Sequence, residues 1–155
     1  MKARVSVAFL VAVAAATTSS LSAQQTVAER EGRTTSHREV LTYLDTLQGR
    51  GASLRVGVMG YSAEGREIPY VVVARPMVAS AAEARRSGKP VLYIQANIHG
   101  GEVEGKEAMQ QVLRDLTLGN LRTLLDSVIM LAVPIYNTDG NDAFGPAARN
   151  RPGQN

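Results

Sequence analysis

Apolar positions change their period several times along this chain, and each change marks an element. Over residues 37–47, Val40, Leu41, Leu44 and Leu47 repeat at the three-to-four spacing of one helical face. Ser36 precedes them with Glu39 three residues on, a capping-box pattern, and Gly49 and Gly51 supply the stop. Residues 54–61 and 68–74 are β-like runs, and Ser62-Ala63-Glu64-Gly65 between them predicts a hairpin. The charged, Ala-rich stretch 80–89 is a connection with room for a short helix. Residues 91–98 form a further strand, apolar enough to be expected at the centre of a sheet.

A helix is expected over 103–116, with Met109, Val112, Leu113 and Leu116 as its buried stripe. Glu102, Glu104 and Glu107 crowd its first turns, where the helix dipole favours acids. Gly119 closes it, 121–126 is a short helical turn, and 127–136 is the last strand. Strand, helix, strand implies a right-handed crossover with parallel pairing, and hence an α/β fold. Asn137-Thr138-Asp139-Gly140-Asn141 is then turn chemistry, and residues 144–155 show no period. The chain is expected to be the front part of a longer protein that stops inside this loop.

The first 23 residues stand apart. Lys2 and Arg4 begin them, residues 5–16 are apolar except for Ser6, and residues 17–23 are mostly small and polar. That order predicts a secretory signal peptide cleaved after Ala23, with an apolar run too short to span a bilayer. Residues 24–35 are polar and aperiodic and are expected to form a flexible leader, and 36–155 to form the folded part. The net charge of the whole chain is +3, and removing Lys2 and Arg4, with no acid before Glu29, leaves +1. No basic block suited to nucleic acid remains. The absence of cysteine excludes disulfides and a bacterial lipoprotein anchor, so the expected product is exported, periplasmic or extracellular, without a stable membrane anchor.

Candidate chemistry concentrates at Asn97-Ile98-His99-Gly100-Gly101-Glu102, between the expected strand 91–98 and the helix behind it. An imidazole and a carboxylate three residues apart on such a corner can close on one zinc ion. Open α/β sheets place ligands at the carboxyl ends of strands, where this corner lies. The competing reading is a core histidine and an ordinary first-turn glutamate. His37, the only other histidine, starts a helix and is expected to be solvated. A catalytic zinc normally takes three protein ligands plus water, so a third ligand is missing. Asp139 is a candidate to orient a metal ligand, or else a turn residue that locks the strand end. Arg149 and Arg151 are candidates to hold a substrate carboxylate through the guanidinium fork.

Three segments together resemble the carboxypeptidase A-like zinc metallocarboxypeptidases, in an exported bacterial branch. Gly60-Tyr61-Ser62-Ala63-Glu64-Gly65-Arg66 is similar to the hairpin turn ahead of the metal strand. His99-Gly100-Gly101-Glu102 fits the first zinc motif, and Asn137-Thr138-Asp139-Gly140 is similar to an Asn-Pro-Asp-Gly turn with Thr138 in place of proline. The resemblance covers roughly residues 36–155.

It implies a mixed, partly parallel sheet with helices on both faces, Zn2+ as cofactor, and His99 and Glu102 as two of its ligands. The implied activity is hydrolysis of the C-terminal bond of a peptide with a free C-terminus, by a zinc-activated water. The chain departs from the family in three ways. Gly101 stands where the digestive branch has an arginine, and the third ligand, a histidine, and the general-base glutamate are expected downstream. The family's carboxylate-holding Asn-Arg pair is not carried onto Asn150-Arg151, which follows the Asn-Thr-Asp-Gly turn too closely. The isolated chain is therefore expected to be inactive. Two other readings stay open: a zinc amidohydrolase acting on N-acyl amino acids, and a non-enzymatic secreted α/β binding module.

Overall fold

The computed structural model describes residues 25–143; the signal segment, Arg149 and Arg151 lie outside them. In order, the elements are α1 (Val27–Glu31), α2 (His37–Gly49), β1 (Leu54–Tyr61), β2 (Glu67–Val73), α3 (Ala81–Arg86), β3 (Val91–Gln95), α4 (Glu104–Thr117), a 3-10 turn (Arg122–Asp126), β4 (Ile129–Val133) and α5 (Thr138–Asp142). They build a mixed α/β fold around a four-stranded sheet of order β1-β2-β4-β3.

The hairpin forms as its turn chemistry requires. β1 and β2 pair antiparallel from Leu54 opposite Val73 to Tyr61 opposite Glu67. Gly65 supplies the left-handed residue of the turn, with φ 79°. β4 pairs antiparallel with β2 and parallel with β3, and α4 is the crossover between β3 and β4.

Alternation along the strands sorts their side chains between two faces. Val71 and Val73 of β2 and Met130 and Ala132 of β4 face α2 and α4. Val40, Leu44 and Leu47 of α2 and Leu113 of α4 are fully buried against them. Tyr43 joins this core, and burial pushes its hydroxyl pKa up to about 12. Tyr70, Val72 and Leu131 turn to the other face, where short α3 lies over them around a cavity of about 460 Å³.

Ser36 caps α2 as expected, with Glu39 Oε2 accepting from the Ser36 amide at 2.9 Å. Four expectations are corrected. The leader at 24–35 contains α1, started by a second capping box at Thr26 and Glu29, and its Thr26, Val27 and Thr35 are buried. β3 is an edge strand among the described elements, because β4 takes the inner position. Val91, Leu92 and Tyr93 are each about half exposed as a result. Val112 is 38% exposed, so the inner face of α4 carries Lys106 and Gln110 in its place. His37 is buried, with its Nε2 2.7 Å from the carbonyl of Glu67.

A buried polar knot fixes the start of α4. Lys106 is fully buried, and its ammonium donates to Thr34 Oγ1 at 2.9 Å, to the Thr35 carbonyl, and to Glu107 Oε1 at 3.0 Å. Glu107 also accepts from the Thr35 amide, from both threonine hydroxyls and from Gln110. Burial works against the Glu107 charge, but these donors outweigh it and hold its carboxyl below the usual range. Burial also pulls Lys106 below its ordinary value, against the attraction of Glu107. Asn141 of α5 donates to the same Thr35 carbonyl at 3.2 Å, so residues 34–36, α4 and α5 share one anchor.

Candidate metal centre

β3 ends at Gln95, and its pairing with β4 continues in single bonds beyond both strands. The Ala96 amide donates to Val133, Tyr136 to Ala96, and Asn137 to Asn97, at 2.9, 3.1 and 2.9 Å. The corner therefore starts from a fixed point. The chain then closes a β-turn in which the Glu102 amide donates to the His99 carbonyl at 2.9 Å. His99 and Glu102 stand at the ends of this turn, with the two glycines between them.

The turn brings their side chains together. His99 Nδ1 lies 3.0 Å from Glu102 Oε2, and both side chains are partly exposed. Zinc sits about 2.0–2.2 Å from a histidine nitrogen or a carboxylate oxygen, so one ion can reach both atoms. The pair fits two of the three protein ligands of a catalytic zinc. Among the described residues, no group of three or more His, Cys, Asp or Glu side chains comes together to hold a metal.

The two glycines of the turn, Gly100 and Gly101, are not there for a left-handed backbone. Neither takes a positive φ. Gly100 is needed because its α-carbon faces the backbone of Gly140, where an added Cβ would overlap the Gly140 carbonyl. The left-handed residue is Asn97, with φ 56°. It is 3% exposed, and its Nδ2 lies 3.2 Å from the His99 carbonyl and 3.3 Å from those of Gly100 and Glu102.

Asp139 faces the hairpin. It accepts from Ser62 Oγ at 2.7 Å, from the Glu64 amide at 3.1 Å and from Arg66 at 2.5 Å. Slight burial opposes its charge, but Ser62, Arg66 and the Glu64 amide outweigh that and lower its pKa. Asn137 caps the turn through the Gly140 amide at 2.8 Å, so the Asn-Thr-Asp-Gly segment starts α5 while Asp139 ties it to the hairpin. A cavity of about 380 Å³ opens between the two, lined in part by Ile68, Ile98, Tyr136 and Asp139. The larger cavity beneath α3 lies on the other face and includes none of the candidate residues.

Sequence reasoning missed Asn97 and the Lys106–Glu107 knot. For Asn97 a signal existed, since asparagine enters the left-handed region more readily than other non-glycine residues. Lys106 gave none, because a lysine between two glutamates on a helix reads as solvated.

The zinc carboxypeptidase family model matches residues 40–152 of the chain. Carboxypeptidase 2 of Trichophyton rubrum is 33% identical over 81 residues, which is 51% of this chain and 15% of that protein. Among solved structures, carboxypeptidase A from Helicoverpa armigera superposes with TM-score 0.63 at 24% identity. That match covers 77% of this chain and 28% of the other. A metallo-carboxypeptidase from Burkholderia cenocepacia gives TM-score 0.53 at 22% identity, over 66% of this chain and 26% of the other. The chain thus spans about a seventh of the length of the curated relatives it matches.

Proposed function

This chain belongs to the zinc carboxypeptidase family, and on that premise we propose that His99 and Glu102 are two ligands of its zinc ion. The observation that carries this reading is the pair itself: Nδ1 and Oε2 face each other 3.0 Å apart at the end of a sheet strand. Family membership supports Zn2+ as the ion and a peptide with a free C-terminus as the substrate. Bound zinc would polarise the scissile carbonyl and lower the pKa of its water.

The roles left to this chain are binding and orientation. His99 presents Nδ1 and Glu102 presents its carboxylate. Asp139 acts at a distance, holding the turn whose Gly140 backs Gly100. Arg149 and Arg151 keep their candidacy as carboxylate-binding groups. The signal-like segment at 1–23 supports export, and no described helix is long and apolar enough to cross a membrane. Among the described residues the pair supplies two of the three protein ligands that a catalytic zinc normally takes, so zinc held by these two alone is held weakly.

Competition against a chromophoric chelator tests the ligand assignment. We expect weak one-to-one zinc binding that His99→Ala and Glu102→Ala each abolish. Binding unchanged in both variants would overturn it.

A further inference from the structure

We infer that Asn97 is the positioning residue of the metal corner. Its side-chain amide sets the backbone of residues 99–102 so that His99 and Glu102 face each other before any metal arrives. The link to metal affinity rests on the zinc reading above; the geometry does not.

Three observations converge. First, Asn97 is the only non-glycine residue with positive φ among the described residues. That conformation turns the chain out of the β3 line and brings the amide back over the loop. Second, Nδ2 faces the carbonyls of His99, Gly100 and Glu102 at 3.2–3.3 Å. Two N–H groups are shared among three acceptors that span the whole turn. This arrangement also fixes which end of the amide points inward, because the reverse would set Oδ1 against three oxygens. Third, Oδ1 is left buried without a hydrogen-bond partner. A buried unsatisfied acceptor lowers stability. Glycine would accept the same backbone conformation without that burden. The amide donor is what asparagine adds.

The anchor of this device is rigid. The Asn97 carbonyl accepts from the Asn137 amide at 2.9 Å, so the residue hangs from the extension of β4. The loop beyond it is held at three points by one side chain, and His99 and Glu102 inherit that order. Groups that orient metal ligands from behind typically change affinity about 10–100-fold when removed.

The test compares the wild-type chain with Asn97→Gly, which keeps the backbone conformation and removes the donor. With only two histidines in the chain, 15N labelling resolves the His99 ring. We expect the metal-free Gly variant to lose the ring signal characteristic of pairing with Glu102. We expect its zinc affinity to fall about 10–100-fold, with a weakened and shifted visible absorption of the cobalt-loaded chain. If the Gly variant does not fold, Asn97→Ala, which removes the donor without setting an oxygen against the three carbonyls, carries the same comparison. A His99 ring signal identical to wild type in the folded variant overturns the inference, whatever the zinc affinity. Absence of zinc binding by the wild-type chain would instead count against the ligand assignment, and the ring signal would still decide the role of Asn97.

Discussion

Gly100 rests against Gly140, with no space between their backbones for a side chain. The metal loop and the start of α5 are thereby held in one position relative to each other. Gly100→Ala places a methyl group against a carbonyl that has little room to move. Overpacking of this kind costs about 1–3 kcal/mol. Urea unfolding should show that loss, together with weaker zinc binding.

Lys106, fully buried, and Glu107, partly buried, make the opposite kind of contact, an ion pair inside a knot of hydrogen bonds. Removing Lys106 takes the opposite charge from Glu107, and the bonds from Thr34, Thr35 and Gln110 only partly replace it. Lys106→Met should destabilise the chain by about 3–5 kcal/mol. The double variant Lys106→Met/Glu107→Met should recover part of that loss, because no unpaired charge remains. Thermal unfolding of the two variants side by side checks both statements.

The carboxylates set the acid limit. Two bonds from Arg33 hold Glu39 at about 2, well below its ordinary 4.5, and Glu107 is also lowered. A lowered carboxylate stabilises the fold fully above its unfolded pKa, and the stabilisation is lost as pH falls through the folded value. The unfolding temperature should therefore decline as pH drops from about 4.5 towards 2. Glu39→Gln should start lower at neutral pH and decline less across that window.

Helix α4 offers an internal control for core packing. Leu113 is fully buried and Val112 is 38% exposed. Leu113→Ala should cost about 2–5 kcal/mol, as a cavity replaces a packed side chain. Val112→Ala should cost far less. Equal losses measured by denaturant titration would contradict this orientation of the helix.

Local patterns were enough to read α2, the hairpin and the parallel β3–β4 unit from the chain. Each rests on neighbours: Ser36 with Glu39, Gly65 in its turn, and a helix joining two apolar runs. The paired His99 and Glu102 were legible for the same reason, being three residues apart. What escaped depends on distant partners. Thr34 and Thr35 read as leader residues, yet their bonds go to Glu107, more than seventy positions away. The place of β3 at the edge depends on which strand pairs with which, and apolar content is silent on that. The capping box at Thr26 was present in the sequence, but five residues of helix show no period.

The same separation has a consequence in time. The hairpin joins close neighbours, and such hairpins form in about 1–10 μs. The anchor behind the corner must first close a loop of 72 residues between Thr35 and Glu107. Contacts that distant are slow, because chain entropy is lost before they give anything in return. The order of events then places this anchor after the hairpin, together with the β2–β4 pairing, which also joins distant residues. A metal ion present during refolding should therefore leave the rate of hairpin formation unchanged, and any effect it has should fall on the later, long-range steps.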